Sequence, residues 1–236
     1  MADIDLPDID PDATLGELVT ERPALARAFD ELGLDYCCGG GRSLAEACEA
    51  AGLRVQVLAE LDTSLRGPEE PDAAAWVSMD PAELTEHLEA THHAYLRREL
   101  PRLTALADKV SAAHGARHPE LASVRDTLAQ LRAELEPHIS EEEEILFPAI
   151  RASRPVGGAI EAKRDEHDQA GELLARLRAL SGGYVTPADG CASYRAFSEG
   201  LAELEADLHL HVHKENNVLF PAVAAAEGAL VEPERA

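Results

Sequence analysis

One stretch of this chain occurs twice, and it limits the possible folds more than any other feature. His138-Ile139-Ser140-Glu141-Glu142-Glu143-Glu144-Ile145-Leu146-Phe147-Pro148-Ala149-Ile150 returns as His211-Val212-His213-Lys214-Glu215-Asn216-Asn217-Val218-Leu219-Phe220-Pro221-Ala222-Val223, 73 residues later. Both copies read H-x-x-x-E-x-x-[IV]-L-F-P-A-[IV]. On a helix, residues four apart share a face, with Cβ atoms roughly 5–6 Å apart. Each copy therefore sets an imidazole beside a carboxylate. One such pair is half of a metal site, and two facing pairs suffice for two metals.

The spacing also implies the architecture. An offset of 73 residues is the length of a helix-turn-helix unit, so the duplication predicts two copies of one hairpin. The first helices of the two hairpins match as well: Glu166-His167 follows His92-His93 by 74 residues, and Leu100 and Leu174 follow His93 and His167 at equal distance. Four long helices joined by short turns pack as an up-down-up-down bundle. Composition agrees, with 45% apolar but only 4% aromatic residues, a balance that favours helix over sheet.

In chain order, Thr14-x-x-Glu17 and Ser43-x-x-Glu46 have the form of capping boxes and predict short helices. Another short helix runs from Pro23 to Gly33, and a fourth covers about 54–65. Between them, Asp35-Tyr36-Cys37-Cys38-Gly39-Gly40-Gly41 forms a glycine-rich turn. The expected domains are a small helical N-terminal unit over 1–66, a linker over 67–79, the bundle over 80–227 and a tail over 228–236. Asp80-Pro81-Ala82-Glu83 opens the first long helix, to about 113. The others run from 118 to 152, 159 to 181, and 186 to 226. Pro137, directly before His138, predicts a kink in the second.

The net charge of −24 argues against nucleic acid and against anionic membrane surfaces as partners. No apolar run approaches the roughly 20 residues that span a bilayer. The start, Met1-Ala2-Asp3-Ile4-Asp5, lacks the basic segment and apolar core of a signal peptide, so the expected compartment is the cytoplasm. The four cysteines form no disulfide framework. Adjacent Cys37 and Cys38 suit redox or thiol chemistry, and Cys48 suits the core.

The candidate metal ligands are His93, His138, Glu142, His167, His211 and Glu215. Four imidazoles with two carboxylates suit iron or manganese better than softer metals. With both glutamates bridging and an oxo or hydroxo group between the metals, each metal keeps one open position. Glu134 and Asp207 stand one turn before His138 and His211 at the same 73-residue offset, and Glu166 stands beside His167. These acids are candidates to receive the second N–H of a metal-bound histidine. His209 and His213 lie about 200° around the helix from His211, which predicts a solvated face for them. His87, His114 and His118 are expected at the surface or in turns.

The paired H-x-x-x-E segments resemble the hemerythrin-like cation-binding bundle. The Asp35-Tyr36-Cys37-Cys38-Gly39-Gly40 turn resembles the N-terminal domain of the di-iron iron-sulfur cluster repair family. Glu166 to Leu174 and Glu215 to Pro221 extend the match, which covers nearly the whole chain after residue 12. The resemblance implies an oxo-bridged pair of non-haem irons on the six ligands named above. It implies cytoplasmic repair of iron-sulfur proteins damaged by nitric oxide or peroxide, through iron donation or reduction of nitric oxide to nitrous oxide, with Cys37 and Cys38 in redox or relay roles. The electron donor stays open, and a second copy of the chain is a candidate partner. Two further readings stand beside this one: a hemerythrin-type carrier or sensor of dioxygen, and a module that stores or donates iron without catalysis. Oxygen carriers of that type use five histidines, against four here.

Overall fold

The computed structural model describes residues 9–53 and 75–231. The helix expected over 54–65, most of the linker and the two chain ends lie outside these residues. Every regular element among the described residues is helical, and an isolated antiparallel bridge joins Thr14 and Ser43. The chain divides into two units: one joins Met1–Leu84 with His209–Ala236, and the other is Thr85–Leu208.

The first unit begins with α1 (Leu15–Glu21), α2 (Leu25–Leu32) and α3 (Leu44–Ala50). Both capping boxes form: Thr14 and Ser43 accept from the backbone of Glu17 and Glu46, whose carboxylates reach back to the cap N–H groups. Gly33 ends α2 at φ 67°, a left-handed conformation that glycine adopts without a Cβ clash. Leu15, Leu18, Val19, Leu25, Phe29, Tyr36, Leu44 and Cys48 form a buried cluster, and Leu210 packs against it. The short helices thus share a core with Leu210, far along the sequence. A 3-10 turn, Ala75–Ser78, and α4 (Pro81–Leu88) follow.

The second unit holds the bundle. Its helices are α5 (Ala94–His114), α6 (Glu120–Glu141), then a short α7 (Phe147–Arg151), α8 (Gly157–Leu180) and the part of α9 (Ala192–His213) up to Leu208. Cross-helix bonds fix the directions. Ser111 near the end of α5 reaches the Leu121 carbonyl at the start of α6, and Arg97 at the start of α5 reaches Glu143 just past α6. Lys163 of α8 meets Glu141, His92 meets Asp207, and His114 meets Cys191. Successive helices therefore alternate in direction. Leu96, Leu100, Leu103, Leu128, Leu131, Leu174, Phe197 and Leu204 fill the centre at helical spacing. Gly200 permits the close approach of α9 to α5, since a Cβ there would meet Leu103 Cδ2 at 2.6 Å. The result is an all-helical four-helix bundle, with a small helical N-terminal part before it.

Candidate metal centre

The helices that carry His93, Glu142 and Glu215 are not regular α-helices at those positions, whereas His138, His167 and His211 stand on α-helical turns. Glu89–His93, Glu142–Leu146 and Lys214–Leu219 are π-helical. Ala94, Phe147 and Phe220 donate their N–H groups to the carbonyls of Glu89, Glu142 and Glu215, each five residues back. Two of the three have a cause in the repeated motif. Pro148 and Pro221 have no N–H to give, and their rings crowd the carbonyl four residues before, so the turn ahead of each widens. In the third, the Thr91 hydroxyl bonds the His87 carbonyl at 2.6 Å and competes with the ladder. Pro137, by contrast, is absorbed: α6 runs through it.

Within Thr85–Leu208, His93, His138, Glu142 and His167 are all at most 5% exposed. Nε2 of His93 and Nε2 of His138 lie 3.4 and 3.3 Å from the same oxygen, Oε2 of Glu142. The ligand atoms of His138, Glu142 and His167 lie within 4.8 Å of one another. The other nitrogen of each of the first two rings faces a carboxylate: His93 Nδ1 lies 3.1 Å from Glu143, and His138 Nδ1 lies 2.6 Å from Glu166. A carboxylate accepts, so Nδ1 carries the hydrogen, and in the neutral ring Nε2 keeps its lone pair. Two lone pairs then converge on a carboxylate oxygen, and both Glu142 oxygens are buried without a hydrogen-bond donor. Acceptors facing acceptors in a dry site need a cation between them, so the donor set fits a metal.

The supporting acids are held in turn. Arg97 Nη2 donates to Glu143 at 2.6 Å, and Lys163 Nζ donates to Glu166 at 2.8 Å and Glu141 at 3.0 Å. Burial works against charge on Glu143 and Glu166. Arg97 in one case, and Lys163 with His138 in the other, outweigh it and hold both below the usual carboxylate range. Burial likewise opposes charge on Lys163, and Glu166 and Glu141 overcome it and hold the ammonium above its ordinary value. Phe147 stacks on the His93 ring, with centroids 5.5 Å apart and planes at 16°.

In the other unit, His211 Nε2 lies 3.1 Å from Glu215 Oε1, and both side chains are fully buried. The same stretch anchors the thiol turn. Asn217 Nδ2 donates to the carbonyls of Tyr36 at 3.3 Å and Cys37 at 3.0 Å. His213 packs edge-on against Tyr36 and Trp76, and the Lys214 ammonium sits 5.2 Å over the Trp76 ring. Gly16 and Gly40 make room, since a Cβ on either would lie 2.8 or 2.6 Å from Asn217 Oδ1. Asp35 shapes the turn by accepting from the N–H groups of Cys37, Cys38 and Gly39. Cys37 is buried. Its hydrogen bond with Cys38, then burial and Asp35, push its thiol well up.

The remaining expectations meet specific partners. Glu166 receives the His138 N–H. Glu134 instead accepts from Gln130 at 3.0 Å, and Asp207 pairs with His92 at 2.9 Å. The solvated face expected for His209 and His213 is corrected. His213 has no exposed surface, burial pushing its pKa down to about 4, and His209 bonds Asp30 at 2.6 Å. The surface position expected for His114 is also corrected, since that residue is buried. Glu143, Arg97 and Lys163 escaped the sequence reading because their partners lie across helices. The one available signal was Glu143's place beside Glu142.

Known proteins resemble the chain along nearly its full length. The profile of the Hemerythrin HHE cation binding domain matches residues 84–223, and that of ScdA_N, a domain of unknown function, matches residues 11–64. The iron-sulfur cluster repair protein YtfE of Escherichia coli O157:H7 is 36% identical over 219 residues, 92% of this chain and 98% of that protein. The protein of that name from Shigella boydii serotype 4 matches at the same identity and coverage. The paired histidine-glutamate segments, the cysteine turn docked on the second of them and this extent of identity make the chain a member of the iron-sulfur cluster repair family, with an ScdA_N domain followed by a hemerythrin-type cation-binding bundle.

Proposed function

We propose that this protein repairs iron-sulfur clusters damaged by nitrosative or oxidative stress, using two non-haem irons held by His93, His138, Glu142, His167, His211 and Glu215. Glu142 and Glu215 would supply the carboxylate ligands shared by the irons, and an oxo or hydroxo group would complete the centre. The observation that carries this reading is the convergence of two Nε2 lone pairs on donor-free Glu142. When bound, the irons supply redox-active positions for nitric oxide or dioxygen and a store of metal for a damaged cluster.

The chain's own residues prepare the site. Glu143, fixed by Arg97, and Glu166, fixed by Lys163, keep His93 and His138 in the tautomer that presents Nε2. Leu146 and Phe147 are buried in the first motif and Leu219 in the second, each keeping water from its own glutamate. The cytoplasm is the compartment we assign, with damaged iron-sulfur proteins as clients.

The test is iron analysis and cluster repair on full-length protein. Parent protein should hold about two irons per chain and restore activity to a nitric-oxide-damaged iron-sulfur enzyme. Glu142→Ala and Glu215→Ala should each lower iron content by at least half and abolish repair. If both variants retain full iron, the ligand assignment fails. If iron is lost but repair persists, the link between the bundle and repair fails.

A further inference from the structure

A second chemical site lies at the opposite end of α5, about 31 Å along the helix from His93 at 1.5 Å per residue. Cys191 occupies the N-cap of α9: its carbonyl accepts from the Arg195 N–H at 3.0 Å, and its side chain is exposed. The sulfur lies 3.3 Å from Nε2 of His114 and accepts from the backbone N–H groups of Tyr194 and Ser193. The His114 ring is 7% exposed and packs edge-on against Tyr194.

The tautomer of His114 follows from its other neighbour. Arg117 Nη2 lies 3.3 Å from His114 Nδ1. A guanidinium only donates, so Nδ1 accepts and the ring hydrogen sits on Nε2, aimed at the sulfur. Arg117 is tied by its Nε to Asp189 at 2.9 Å. His118 lies between Asp189 and Glu120, at 2.9 and 3.1 Å. Three N–H donors thus converge on one accessible sulfur. The His114 bond first, then the backbone amides, pull the Cys191 thiol down to about 7.

We propose that Cys191 is a nucleophilic thiolate site, separate from the metal centre, that hydrogen peroxide oxidises to a sulfenic acid. The thiolate sulfur attacks one peroxide oxygen; the S–O bond forms, the O–O bond breaks, and sulfur gives up two electrons. The departing hydroxide takes a solvent proton and leaves as water. Cys37, Cys38 and Cys48 belong to the other unit, so Thr85–Leu208 contains no second thiol. A small-molecule thiol then resolves the sulfenic acid, its sulfur displacing water to give a mixed disulfide.

The experiment is peptide-mapped alkylation of the full-length protein with iodoacetamide across pH. Cys191 should label with a midpoint of about 7. At neutral pH it should react about fourfold faster than in the urea-unfolded chain, the larger thiolate fraction outweighing the lower nucleophilicity. His114→Leu should bring the rate down to the unfolded value. Arg117→Ala, on an exposed side chain that leaves the fold intact, should raise the midpoint and slow labelling. A native Cys191 that titrates like an ordinary thiol overturns the proposal, as does an unchanged profile in Arg117→Ala. Peroxide followed by a dimedone-type probe should mark Cys191 and not Cys48. A native protein that gives no Cys191 adduct rules out the oxidation.

Discussion

Glu142 is the residue on which the metal reading turns, and its environment makes a prediction with two opposite signs. It presents only acceptors to two imidazole nitrogens that are also acceptors. Glu142→Gln adds an amide N–H that either nitrogen can accept. The metal-free variant should therefore unfold at a higher temperature than the metal-free parent, by about 1 kcal/mol for one neutral hydrogen bond. The iron-loaded variant should unfold below the iron-loaded parent, because an amide neither carries charge nor bridges well. Thermal melts with and without chelator check both signs, and a metal-free variant no more stable than the parent would remove the argument from converging lone pairs. The i, i+4 spacing of His138 and Glu142 was legible in sequence because it is local. The carboxylate that accepts from His138 was harder to read: Glu134 has the right spacing, yet Glu166 makes the bond from another helix, 28 residues away. Spacing along one helix cannot reveal a partner on the next.

At the scale of elements, the duplication gave the bundle its hairpins, and the differences between the copies give the second copy another task. Ser140, Glu141, Glu143 and Glu144 of the first motif stand where the second has His213, Lys214, Asn216 and Asn217. His213, Lys214 and Asn217 contact Tyr36, Trp76 and the cysteine turn. Periodicity alone assigned His213 to solvent because it treats a helix as if nothing else covers it; the N-terminal helices do. The π-helical segments were also invisible to a 3.6-residue period, although the two prolines that widen them were in view. Asn217→Ala removes two hydrogen bonds to the turn while leaving His211 and Glu215 in place. It should release the backbone at Cys37, so that amide exchange over 37–42 and Cys37 alkylation both accelerate, by about tenfold for a loss of 1–1.5 kcal/mol. Unchanged exchange would mean that Asp35 alone holds the turn.

At the scale of the whole molecule, 45 acidic residues against 21 basic ones leave a net charge of −24. Self-repulsion of this size opposes the folded state and is screened by salt. The unfolding temperature should therefore rise between about 0.01 M and about 1 M sodium chloride, as the Debye length shrinks from about 30 Å to about 3 Å. A falling melting temperature would show that specific pairs, such as the one in which Arg178 Nε donates to Glu205 at 3.1 Å, outweigh the general repulsion. The chain path adds an order in time. Cys37 and Asn217, which clamp one turn, are 180 residues apart. At elongation rates of about 5–20 residues per second, roughly 9–36 seconds separate their emergence from the ribosome. The nascent polypeptide therefore carries its vicinal thiols without their asparagine clasp until residue 217 has emerged, and a molecule stalled before that point presents them to the cell.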